Sequence, residues 1–250
     1  MRALQPWRHN PKRSSETPMN RIHDRDLRGA SRTGWLDSKH TFSFANFHDP
    51  DRMGVSALRV INEDHVIPGA GFAPHGHRDM EILTYVVSGA LSHKDSLGNG
   101  STIRPGDIQL MTAGTGITHS EMNESTTEPV HLFQIWILPD RQGLAPGYQQ
   151  IRLDDEAGRN GFTPIVTPTG GDGVVKVHQD AVVSLAKAKA GEILTVDLGP
   201  NRRGFLQIVQ GEASLDGNVL RGGDGVEFDS GKKRELSVSI DAEILLFDLP

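Results

Sequence analysis

Two short words, His75-Gly76-His77 and His119-Ser120-Glu121, carry four side chains that could hold one metal ion. Each word sets two donors at i and i+2, and in a β-strand that spacing puts both on the same face. Two neighbouring strands that each offer such a pair would converge four donors on one point. Three imidazoles and one carboxylate suit Fe, Mn, Co, Ni, Cu or Zn and do not suit Ca or Mg. Chance must be weighed, because the chain has eleven histidines and Glu at i+2 is common on exposed strands. The matched contexts favour the metal reading. Each word is approached through glycines, Gly69-Ala70-Gly71 and Gly114-Thr115-Gly116, and His119 follows His77 by 42 residues of short, strand-like segments.

Those segments are what must position the donors. Residues 72–77, 80–87, 90–95, 107–111, 119–122 and 130–138 read as strands, with further strand character at 42–44 and 56–62. Asn99-Gly100 is a strong hairpin signal, and Arg104-Pro105-Gly106-Asp107 marks another tight turn. Over 130–138 the alternation is clean: Leu132, Gln134, Trp136 and Leu138 share one face, His131, Phe133, Ile135 and Ile137 the other. After a break at Pro139-Asp140-Arg141-Gln142-Gly143 the texture repeats, with strands expected at 193–198, 204–209, 211–215, 221–228 and 242–249. Short strands at this spacing predict an all-β chain of jelly-roll barrels. The expected division is an extension over 1–20, an N-terminal lobe over 21–139 holding the metal, and a C-terminal lobe over 140–250. Where the first half has its histidine pair, the second has Arg202-Arg203-Gly204-Phe205, so the second lobe is expected to lack metal ligands. Helical periodicity is nearly absent; residues 181–190 could form one short helical turn.

Composition narrows the function. There is no cysteine, which excludes disulfides and thiolate metal sites and suits a cytoplasmic protein. No stretch approaches the roughly 18 apolar residues of a membrane helix, and no secretory pattern is read. Residues 1–34 carry eight Lys/Arg against three Asp/Glu, a net of +5, so the remainder holds −11 of the overall −6. An acidic body argues against nucleic acid as a ligand.

The longer words carry a resemblance. Gly69, His75, His77, Glu81 and Gly89 are spaced like the first cupin motif, and Arg104-Pro105-Gly106-Asp107 with His119 resembles the second. More narrowly, the runs from His75 to Tyr85, from His93 to Asn99, from Met111 to Glu121 and from Phe133 to Trp136 resemble the pirin family, within it the bacterial pirin-like quercetinases. Gly34 to Ser38, His40 to Asn46 and Leu245 to Pro250 fit the same pattern. The resemblance implies a bicupin fold and a metal, usually iron as Fe(II), held by His75, His77, His119 and Glu121. It also implies quercetin 2,3-dioxygenase-like activity on a flavonol with O2. One position departs: the family usually has proline between the two histidines, and here it is Gly76, which loosens the backbone.

General cupins would take their carboxylate from Glu81. Strand parity permits both, but Glu121 lies two residues from a ligand on its own face and is the expected donor. In the mechanism this implies, Glu121 is also the catalytic base: it takes the 3-hydroxyl proton of the flavonol, and O2 then opens the ring with release of CO. Phe42, Phe44, Phe72 and Met111 are candidates for pocket wall or plain core, and His40 and His93 could support the ligands from behind. The competing expectation is a metal-binding regulatory or redox-sensing protein that acts on a protein partner without physiological turnover.

Overall fold

The computed structural model describes residues 21–250; the extension expected over 1–20 lies outside the described residues. The all-β expectation holds. Three sheets form among the described residues, of nine, seven and four strands, with a single 3-10 turn at Arg25–Leu27.

The seven-stranded sheet lies in the middle and is covered on both faces. That explains why its strand Glu81–Ser88 reads as one continuous apolar run, buried from Glu81 to Val86. The alternation still sorts its side chains. Leu83 and Tyr85 join Phe133, Ile135 and Ile137 of Val130–Ile137 against Val183, Leu185, Phe205, Leu245 and Phe247 of the nine-stranded sheet. That single apolar cluster welds the two halves of the chain together. On the opposite face, Val86, Val130 and Leu132 pack against Leu91 and Ile103 of the four-stranded sheet.

The four-stranded sheet runs in the order Gly71–His77, Ile117–Met122, Leu91–Asp95, Gly100–Ile103, all antiparallel. The last two strands are the hairpin signalled by Asn99-Gly100. In the second half, the long strands Arg203–Leu215 and Arg234–Leu249 change register between Ile208 and Ala213 and curl around a second core that includes Leu206, Leu220, Phe228 and Leu236.

Two strands cross position 139/140. Arg21–His23 pairs with Gly225–Asp229 in the nine-stranded sheet, and Gly147–Arg152 pairs with Asp107–Thr112 in the seven-stranded sheet. The helical turn expected within 181–190 does not form. Val182–Ala188 is a strand paired along its whole length with Arg234–Leu249. Val183 and Leu185 face one core and Ala186 and Ala188 the other, so alternating burial overrides the helix propensity of the alanines.

Candidate metal centre

The strands Gly71–His77 and Ile117–Met122 pair so that His75 stands opposite His119. The register then slips: Glu121 opposes Phe72, so one residue on one strand, Ser120, faces two on the other, Ala73 and Pro74. This bulge falls at Ala73 and Pro74, on an edge strand where proline costs no ladder hydrogen bond. It keeps Phe72, His75 and His77 on the inner face together. His119 and Glu121, two apart on an unbulged strand, point inward without such help.

His75, His77 and His119 bring one ring nitrogen each to within 4.8 Å of one another. Hydrogen bonds set which nitrogens are free. Nδ1 of His75 lies 2.8 Å from the Ala73 carbonyl, which can only accept, so Nδ1 carries the proton and Nε2 the lone pair. Nε2 of His93 lies 3.1 Å from Oδ2 of Asp95, both side chains fully buried, so that nitrogen donates to the carboxylate. Nδ1 of His93 is then an acceptor facing Nδ1 of His119 at 3.5 Å. His119 is left with its lone pair on Nε2, 3.0 Å from Nε2 of His75. Two lone pairs directed at each other repel unless a cation lies beside them. Burial, with neighbouring His75, holds His77 down to about 4, and burial with His75 and His77 holds His119 down to about 3, so both are neutral and ready to ligate. The donor set therefore fits a divalent transition metal.

Glu121 is 3% exposed and belongs to an overlapping trio with His93 and His119. Its Oε1 accepts from Nε2 of Gln134 at 2.8 Å. The orientation of that amide is not free: Nε1 of Trp136 can only donate, and it meets Oε1 of Gln134 at 3.3 Å. Burial, reinforced by the charge of Asp64, pushes the Glu121 carboxyl up to about 8.

Glu81, the other carboxylate that parity allowed, is elsewhere. The chain leaves the four-stranded sheet after His77 and turns through Asp79 at φ 50°. Glu81 then opens a strand of the seven-stranded sheet and faces the second half. It accepts from Thr112 at 3.1 Å and lies 3.5 Å from Nδ1 of His178. The arginines standing where a second metal word might be are engaged in ion pairs, Arg202 with Asp180 and Asp248, Arg203 with Glu227 and Asp229.

His75, His77 and Glu121 open into a cavity of about 420 Å3 between the four- and seven-stranded sheets. Phe44, Phe72, Leu36 and Trp136 line it, with His40, Asn62, Asp64 and Gln134. Phe42 and Met111, weighed as wall residues, are core instead. Trp136 meets His77 edge-on at 5.0 Å and Phe44 at 5.4 Å. A larger depression of about 730 Å3 on the second half is polar and open and has no histidine in its lining, so the smaller cavity is the chemical one. A further trio, Glu63, His65 and His131, lies on the other face of the sheet. There Arg28 already pairs with Glu63 at 2.6 Å, and the two rings stack at 4.1 Å, which leaves no common point for a metal in both ring planes.

The sequence reading missed Asn62, Asp64, Gln134 and Asp95, while His93, expected as a support behind the ligands, stands behind His119. A signal existed for the first three: each is a polar residue on the buried face of an otherwise apolar alternation.

Comparison with known proteins places these features in a wider set. Residues 22–137 match the Pirin family model, and residues 164–249 match the quercetinase C-terminal cupin domain. The chain is 44% identical over 223 residues to a quercetin 2,3-dioxygenase of Escherichia coli K12, covering 89% of this chain and 95% of that one. The crystal structure of YhhW from Escherichia coli superposes with a TM-score of 0.89 at 43% identity, covering 93% of this chain and 98% of that one. The same bacterial pirin in complex with nickel(II) gives 0.88 at 43% identity, covering 93% and 99%.

Proposed function

The chain belongs to the pirin family and has its bicupin fold, and from that premise we propose that it is a metal-dependent quercetin 2,3-dioxygenase acting on quercetin or a similar flavonol. The observation that carries the reading is the junction of the three-imidazole cluster with a cavity walled by aromatic rings. We assign His75, His77, His119 and Glu121 as the ligands and Fe(II) as the working ion; the nickel(II) complex of the relative supports a divalent metal. We keep the division into lobes at 21–139 and 140–250 as part of the same reading, with the first lobe holding the metal. Cytoplasmic residence, consistent with a cysteine-free chain, also belongs to it. The dioxygenase is favoured over a regulatory role because relatives across nearly the whole chain bear the enzyme's name.

The ion supplies Lewis acidity that favours the deprotonated flavonol and redox access to O2. Everything else falls to the protein. His75 and His119 are held in the required tautomer by Ala73 and by His93. Glu121 receives the proton of the flavonol 3-hydroxyl, and Gln134 keeps its carboxylate aimed into the cavity. Leu36, Phe44, Phe72 and Trp136 grip the flat ring system and keep water from it while O2 opens the heterocycle and CO leaves.

The test is oxygen consumption by protein loaded anaerobically with Fe(II), with and without quercetin, beside a His119→Ala control. Uptake and CO release that the control lacks support the assignment. One metal per chain with no uptake sinks the enzyme reading and favours the regulatory one.

A further inference from the structure

The cavity wall that faces His75 and His77 belongs to the seven-stranded sheet, and one of its donors is left open. Cross-strand pairing sets Gln134 opposite Asn62 and Asn62 opposite His40, so three polar side chains run in one row across the sheet, all on the cavity side. Hydrogen bonds fix how the middle one is turned. Nδ1 of His40 meets Oδ1 of Asn62 at 2.8 Å and lies 3.4 Å from the Ser38 hydroxyl, whose own proton goes to Asp64. Two acceptors beside Nδ1 place the proton there, and Nε2 then accepts from the Ser31 hydroxyl at 2.8 Å. His40, expected behind the ligands, holds Asn62 instead. The Asn62 amide is committed through its oxygen, and its nitrogen is not. Asn62 is 5% exposed, yet its Nδ2 is open to the cavity and meets no acceptor among the described residues. Buried polar groups are nearly always paired, so the partner of this donor must come from the cavity.

We propose that Asn62 is a substrate-recognition residue whose Nδ2 donates to the 4-carbonyl oxygen of the flavonol. This role deepens the dioxygenase reading and rests on it for the identity of the ligand. Gln134, the cross-strand neighbour of Asn62, holds the Glu121 carboxylate at 2.8 Å, so an acceptor and a donor stand side by side on the cavity. A flavonol carries the complementary pair on adjacent ring carbons: a 3-hydroxyl, which gives up its proton, and a carbonyl, which can only accept. Glu121 takes the first and Asn62 meets the second. The two contacts together turn the reacting edge of the ring towards the histidines, while Leu36, Phe44, Phe72 and Trp136 offer apolar surface to the flat body. His40 and Ser31 are positioning residues, since they act on the ligand only through the amide they hold. A site built to hydrogen-bond one substrate atom discriminates by that bond more strongly than an apolar pocket does by size.

The experiment is calorimetric titration of Fe(II)-loaded protein, kept anaerobic so that binding is read without turnover. The probes are quercetin and 3-hydroxyflavone, which has the 4-carbonyl and no hydroxyl besides the 3-hydroxyl. Asn62→Leu should weaken both by about three- to tenfold, the scale of one neutral hydrogen bond, with metal content and melting temperature close to those of the wild type. The infrared carbonyl band of bound 3-hydroxyflavone, marked by carbon-13 at position 4, should move to higher frequency in the variant, because a C=O bond stiffens when it loses a donor. Asn62→Thr, a residue suited to strands, should behave alike and keeps the test open if the leucine variant folds poorly. Unchanged affinity, an unmoved carbonyl band, a loss confined to quercetin, a loss of metal alongside the loss of affinity, or no binding of either probe by the wild type overturns the assignment. A band shift without O2 uptake would keep this contact and discard the dioxygenase reading; uptake with an unmoved band would do the reverse.

Discussion

His93 and His119 face each other through their Nδ1 atoms at 3.5 Å, behind Nε2 of His119 and in front of Asp95. Hydrogen bonds from Asn99 and His93 outweigh burial and hold the Asp95 carboxyl below its ordinary value, so it is an ionised anchor for the His93 ring. His93→Phe would keep the ring packing against Tyr148 and remove the acceptor that orients His119. Such supports are commonly worth about 10–100-fold in metal affinity. We expect nickel(II) affinity, read by competition with a chromophoric chelator, to fall by about that factor with little change in the melting temperature of the metal-free protein. Unchanged affinity would show that His93 merely fills space.

Glu121→Gln separates ligation from proton transfer. The amide can still offer an oxygen but cannot take the 3-hydroxyl proton. Turnover with quercetin should drop by roughly 10²-fold or more, the usual scale for losing a general base, while metal content measured on the same preparation falls far less. Turnover at the wild-type level would exclude Glu121 as the base.

Gly76 stands between the two histidines without needing to be glycine. Its φ is not in the left-handed region, and an added Cβ would meet the Ile117 carbonyl oxygen at 3.7 Å, an ordinary contact. Gly76→Ala should therefore stabilise the folded protein by about 0.4–1 kcal/mol, chiefly by restricting the unfolded chain. Urea unfolding would reveal it as a higher midpoint at unchanged slope; a lower midpoint would mean that an added Cβ strains the strand here.

Glu63 ties the N-terminal segment to the central sheet through Arg28 at 2.6 Å and His131 at 2.9 Å. Burial alone would raise its carboxyl, but the bonds from His131 and Arg28 prevail and hold it at about 2. A folded-state value below the unfolded one means stability that is present above about pH 4.5 and lost as the pH falls towards 2. The depression corresponds to roughly 3 kcal/mol at neutral pH. Glu63→Gln should be destabilised by about that much at pH 7, with a smaller deficit at pH 3. An equal deficit at both would assign the effect to packing rather than to charge.

Much of the candidate metal centre was legible along the chain because strand periodicity is local. An i, i+2 pair must share a face wherever the strand goes, so His75 with His77 and His119 with Glu121 were placed by spacing alone. The alternation over Val130–Ile137 was equally readable, and its two faces became the cavity wall and the seam between the halves. Periodicity does not say which sheet will lie opposite, and there the tertiary structure decided. Parity alone could not separate Glu81 from Glu121, since the turn after His77 carries Glu81 into another sheet. The bulge at Ala73 and Pro74, the strands Arg21–His23 and Gly147–Arg152 traded between the halves, and the strand at Val182–Ala188 all depend on partners distant in sequence.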